Sequence, residues 1–188
     1  VTDQKTYISP KDILDFWYSD MARPLWFAKD LLFDKKIHSQ FYKVYTKAKE
    51  GSLDNWQNSP SSALALVITL DQFPRNMFRN TPQAFATDGQ SLEICRKFIE
   101  KSADHHLDSD EQRLFLYMPF MHSENLADQE EGLKIFSRLS DNGSAHQYAV
   151  AHRNIIARFG RFPHRNTILG RTSTHEEIEF LKEPYSSF

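Results

Sequence analysis

Residues 143–175 contain Arg153, Arg158, Arg161, Arg165 and Arg171 and no Lys, Asp or Glu. Their formal charge is +5, which leaves −7 for the rest of a chain whose net charge is −2. A guanidinium fork matches planar carboxylate and phosphate groups, whereas solubility alone is served equally well by Lys. Phe159-Gly-Arg-Phe-Pro163 would hold these side chains in a compact loop. Three readings stay open. The arginines could brace helices against the nine acids of residues 104–141. They could form a pocket for a phosphorylated or carboxylated small molecule, with Arg161 and Arg165 as clamps. They could also follow a nucleic-acid backbone, which the acidic remainder opposes, so no nucleic-acid partner is expected.

Histidines form the second group. His152 shares an apolar stripe with Tyr148, Ile155 and Phe159, so it should face inward, and its plainest role is that of a hydrogen-bonded core residue. His122, in Met121-His-Ser-Glu124, lies close to Pro119 at an expected helix break, and His164 sits in the arginine loop. An imidazole near a carboxylate can give or take a proton near neutrality. His122 and His164 with Glu124 are therefore the candidate acid–base groups. No HExxH or comparable ligand spacing appears, so no metal and no cofactor is expected.

The third stretch is Leu70-Asp-Gln-Phe-Pro-Arg-Asn-Met-Phe-Arg79. The spacing predicts that Asp71 closes an apolar helix, where the helix dipole disfavours an acid. A cation should stand beside it, and Arg75 is the natural one. The pair reads either as a buried brace or as a carboxylate held ionised in a basic pocket. Phe73-Pro-Arg-Asn76 also has a short echo in Phe162-Pro-His-Arg-Asn166. Signals for a nucleophile or a nucleotide are poor: no Gly-x-Ser-x-Gly, P-loop or Gly-x-Gly-x-x-Gly is present, and Cys95 reads as core.

Helices must position these groups. Ser9-Pro10, Ser59-Pro60 and Thr81-Pro82 carry the N-cap and first-turn pattern, and Ser173-Thr-His-Glu176 has capping-box spacing. Phe33, Ile37, Phe41, Val44 and Ala48 recur at helical spacing before Gly51. Similar stripes are Phe85, Leu92, Cys95 and Ile99, then Leu126, Gln129, Leu133 and Phe136, the last stopped near Asn142-Gly143. No sustained two-residue alternation flanks a turn, so strands are not expected. The fold class is all-α, with roughly seven or eight helices.

The 188 residues suffice for one domain, expected over 13–188 behind a tail of residues 1–12. An aromatic content of 13% argues against disorder. One cysteine excludes an intrachain disulfide framework. No run reaches the roughly 18 apolar residues of a spanning helix, so no membrane partner is expected. The opening Val-Thr-Asp-Gln-Lys has no apolar leader, which leads to an expectation of a cytoplasmic protein.

Leu-Asp-Gln-Phe-Pro-Arg-Asn (70–76), Ala-Phe-Ala-Thr-Asp (84–88), His-Ser-Glu-Asn (122–125), Asp-Gln-Glu (128–130), Arg-Phe-Gly-Arg-Phe-Pro-His-Arg-Asn (158–166) and Leu-Gly-Arg-Thr-Ser-Thr (169–174) together resemble a widespread bacterial family known under a domain-of-unknown-function heading. The resemblance runs from about Ile13 to Leu181. It implies helices in antiparallel pairs, a tetratricopeptide-like superhelical array, and no established activity or cofactor. A glycine would be expected where this chain has Asn80, a change that Asn tolerates because it accepts left-handed backbone angles.

The expectation drawn from all of this is a small anionic ligand held by Asp71, Arg75, His152, Arg161 and Arg165, with His122, Glu124 and His164 handling protons. Against it stands an interaction module whose concave face binds a peptide.

Overall fold

The computed structural model describes residues 7–140, 143–184 and 186–187, and every regular element among them is helical. Residues 1–6 of the expected tail lie outside the described residues, as do Asp141 and Asn142. Helix α1 (Pro10–Trp17) starts at a complete capping box between Ser9 and Asp12, so residues 10–12 of the expected tail are helical. Chain contacts divide the protein into two compact units. Residues up to Arg79 together with Gln83–Asp108 form the first, and Asn80–Pro82 together with Ser109 onward form the second.

The first unit contains α1, α2 (Leu31–Lys49), α3 (Pro60–Val67), α4 (Phe73–Met77) and α5 (Asp88–Glu100). Helix α2 buries the expected stripe of Phe33, Ile37, Phe41, Val44 and Ala48, and Gly51 at φ 78° follows its C-cap. Its core is aromatic, with the Phe73 ring 4.8 Å from Phe41 and 5.7 Å from Trp17.

Helices α3 and α4 are joined by a π turn over Ile68–Gln72, so the rod runs through Asp71 instead of ending there. The cause is Pro74, which has no N–H and whose ring collides with the carbonyl four residues earlier. A wider turn makes room for that ring, and Thr87 Oγ1 donates to the carbonyl of Leu70 that Pro74 cannot satisfy. In α5 the buried positions are Ser91, Ile94, Cys95 and Phe98. The expected Leu92 and Ile99 lie at the margin of that face, half-buried.

The second unit contains α6 (Asp110–His122), α7 (Leu126–Phe136), α8 (Ser144–Phe159) and α9 (His175–Phe180). Helix α6 runs unbroken through Pro119, where the sequence predicts a break. Residues 115–121 are all buried, and that burial outweighs one missing hydrogen bond. Gly132 lets α7 approach α6 closely, since a Cβ there would stand 3.1 Å from the Cβ of Phe120. Leu126 is exposed and Leu133 half-buried, so Gln129, Gly132, Ile135 and Phe136 form the inner face.

Tyr148 faces outward at 54% exposure, whereas His152 and Ile155 face inward with Ala145, Ala149 and Ile156. Gly143 precedes α8 at φ 78°, and Gly160 ends it at φ 66°. Helix α9 uses Thr174 and Glu177 as its capping box, one residue later than the Ser173/Glu176 spacing suggested.

Asn80 has φ 63°, the left-handed geometry expected at that position. Asn80→Ala is therefore expected to lower stability by about 1 kcal/mol and Asn80→Gly to leave it unchanged or higher, as read by urea unfolding.

Candidate functional site

The eight candidate residues are divided between the two units. Asp71 and Arg75 belong to the first unit. His122, Glu124, His152, Arg161, His164 and Arg165 belong to the second.

In the first unit the π turn carries Asp71 inward, where its side chain is fully buried. Gln72 Nε2 donates to Asp71 Oδ2 at 2.6 Å, and Arg75 Nη1 lies 3.4 Å from Oδ1. Arg75 also makes a two-pronged pair with Asp88, at 2.8 and 3.0 Å. Burial works against the Arg75 charge, but the adjacent Asp71 and Asp88 outweigh it and raise its pKa. One residue on, Asn76 Nδ2 donates to Asp34 Oδ1 at 2.8 Å, and Arg79 grips both oxygens of Asp34 at 2.7 and 2.8 Å. Asp34, Arg79 and Asp88 were not singled out from the sequence. The only available signal was that Asp71 needed a cation.

In the second unit the loop after α8 turns at Gly160 and buries Phe162. The backbone of Phe162 organises one side of the site. Its N–H donates to Glu124 Oε1 at 2.8 Å, and its carbonyl accepts from Arg171 Nη2 at 3.1 Å. Arg171 also grips Glu124 with both nitrogens, at 2.6 and 3.0 Å. Burial pushes the Glu124 carboxyl up, but the bonds from Arg171 and Phe162 outweigh it and lower its pKa. Glu124 is thus held as a carboxylate.

The Phe162 ring organises the other side. The Arg165 guanidinium lies 4.5 Å from its centroid, with the His164 and His152 rings at 5.5 and 5.7 Å. Arg165 is buried and donates through Nη2 to the carbonyl of His122 at 3.1 Å. His152 Nδ1 lies 2.8 Å from the carbonyl of Tyr148, so Nδ1 carries the proton and Nε2 is the accepting nitrogen. Burial holds the His152 pKa down to about 3. The Tyr148 bond opposes this, while charge on His122, His164 and Arg165 adds to it. His152 is therefore a neutral imidazole at pH 7 with three cationic or protonatable neighbours.

Arg161 points elsewhere. It grips Glu177 at 2.6 and 2.8 Å and donates to the carbonyl of Thr172 at 3.0 Å. Hydrogen bonding from Arg161, with help from the Thr174 N–H and Asn166, holds the Glu177 carboxyl at about 2. Arg153 pairs with Glu130 and Arg158 with Glu176. Among the described residues, no group of three or more His, Cys, Asp or Glu could hold a metal ion. No helix among them is long and apolar enough to cross a membrane.

The echo between 73–76 and 162–166 recurs in three dimensions. In each unit the Asn that ends the motif donates Nδ2 to a carboxylate, Asn76 to Asp34 at 2.8 Å and Asn166 to Glu177 at 3.2 Å. That carboxylate is gripped in both cases by a second arginine, Arg79 or Arg161. The motif arginines themselves differ: Arg75 lies between two aspartates, and Arg165 lies among histidines.

A family model described as a bacterial protein of unknown function (DUF924) matches residues 13–185. The chain belongs to the DUF924 family. A solved structure of a protein of unknown function from Agrobacterium tumefaciens is 39% identical and superposes with a TM-score of 0.86. The match covers 92% of this chain and 96% of that one. No curated protein matches this DUF924 chain.

Proposed function

We propose that this protein binds a small phosphorylated or carboxylated anion at the second unit's cluster of Arg165, His164, His122 and His152. The observation that carries this reading is the convergence of a buried guanidinium and two imidazoles on the Phe162 ring, with Arg165 also tied to the backbone of His122. Arg165 would anchor the anion as a two-pronged donor. His122 and His164 would exchange protons with it, and neutral His152 would offer Nε2 to a protonated ligand oxygen. Glu124, fixed as a carboxylate by Arg171, would position the Phe162 backbone and would not carry protons. An enzymatic use of the site would run through His122 and His164. Arg161, Asp71 and Arg75, engaged in their own ion pairs, serve this reading as braces.

The test is thermal unfolding against inorganic phosphate, phosphorylated metabolites and dicarboxylates. An anion at a hundredfold its Kd should raise Tm by about 5–11 °C. Arg165→Gln should abolish the rise and leave a folded protein, whereas Lys134→Gln, on the exposed surface of α7, should keep it. If no anion raises Tm, or if Arg165→Gln retains the rise, the proposal fails.

A further inference from the structure

We infer that the first unit docks on an anionic lipid surface through the outer face of α2 and the turn before it. Helix α2 carries Lys35, Lys36, Lys43, Lys47 and Lys49, all exposed. Its one acid, Asp34, is buried and gripped by Arg79, so it does not offset the lysines at the surface. At about 3.6 residues per turn, the exposed positions cover one half of the helix circumference and Phe33, Ile37, Phe41, Val44 and Ala48 the other. From Lys35 to Lys49 the outer half is thus a basic stripe about 21 Å long. Acids at its ends are Asp30, whose side chain caps the helix through the Phe33 N–H, and exposed Glu50 at the C-cap.

Three large apolar side chains project at the N-terminal end of this stripe. Phe27, Leu31 and Leu32 are 71, 72 and 77% exposed, and Arg23 and Lys29, near them in sequence, are exposed too. Such exposure describes a protrusion. A protein partner would need a matching hollow to receive it, whereas the acyl region of a bilayer takes it without one. A basic helical face with an apolar element is the composition of interfacial binding: the apolar groups enter the acyl boundary and the lysines lie at the headgroups. Lysines near an anionic leaflet each strengthen attachment. Nucleic acid would satisfy the lysines but leave Phe27, Leu31 and Leu32 in water. The expectation of no membrane partner rested on the lack of a spanning segment, which interfacial attachment does not require.

The test is co-sedimentation of the full chain with phosphatidylcholine vesicles and with vesicles in which phosphatidylglycerol replaces about a third of the lipid. Binding should be confined to the anionic vesicles and should weaken with added salt. Lys35→Gln with Lys36→Gln should weaken it about thirtyfold. Leu31→Ser with Leu32→Ser should weaken it about tenfold or more, and both variants should unfold at the wild-type temperature because these side chains are exposed. No binding to either vesicle overturns the proposal, as does equal binding to both. Tighter binding to a single-stranded oligonucleotide, unchanged by the leucine substitutions, overturns it in favour of nucleic acid.

Discussion

Arg75→Ala is expected to lower the stability of the first unit by about 3–5 kcal/mol. The reason lies in what it leaves behind. The Asp71 side chain is fully buried within a helical rod, where Gln72 also donates to it. Removing the guanidinium strands that carboxylate in a low-dielectric interior and releases Asp88 from its two-pronged pair. Arg75→Lys keeps the charge but cannot span both aspartates as a fork, so it should recover only part of the loss. Adding Asp71→Asn to Arg75→Ala removes the stranded charge and should recover more. Urea unfolding of the four proteins checks the order. An Arg75→Ala loss below about 1 kcal/mol would show that the pair is not a brace and would reopen a ligand role for Arg75.

The first of these residues shows how far the sequence could be read. The need of Asp71 for a cation is visible in the sequence, and Arg75 supplies it, but for a different reason. Asp71 does not close a helix. It sits in a π turn whose cause, the missing N–H of Pro74, is local, while its remedy, the hydroxyl of Thr87, is distant in sequence.

Caps and stops written in short-range chemistry were legible: Ser9 and Ser59 cap helices, and Asn80 takes the left-handed angle. Helix faces were less so. Tyr148 and Leu126 fit an apolar period but lie on the outward side of their stripes, because small residues such as Ala145, Ala149 and Gly132 hold the packed positions. The arginine bias was visible as a count, but the partner of each arginine was not. Two of the acids come from residues 104–141, Glu124 with Arg171 and Glu130 with Arg153, while Glu176 and Glu177 of α9 take Arg158 and Arg161. Pairing across so many residues depends on packing that no local spacing encodes.

Acidification from pH 6.5 to 4.5 is expected to remove about 2–3 kcal/mol of stability through His152 alone. In the folded protein His152, 5% exposed, is held neutral down to about pH 3. In the unfolded chain it takes up a proton near pH 6.5. Below 6.5 the unfolded state therefore binds more protons, and stability falls until pH reaches the folded value. Glu177 works in a lower window. Its folded value of about 2 lies below the ordinary carboxylate range, so its contribution is lost only as pH falls from about 4.5 toward 2. The interval from 6.5 to 4.5 therefore isolates histidine.

His152→Asn keeps a donor for the Tyr148 carbonyl and removes the titration, so wild type minus variant should carry the predicted slope in urea unfolding at stepped pH. A flat difference would mean that His152 protonates without penalty. The same curve reports on the anion. Charge on His122, His164 and Arg165 helps to hold His152 down, and an anion bound among them would cancel part of that charge. Saturating phosphate should raise the folded pKa toward 6.5, narrow the proton difference between the two states and flatten the slope. It should do none of these in Arg165→Gln.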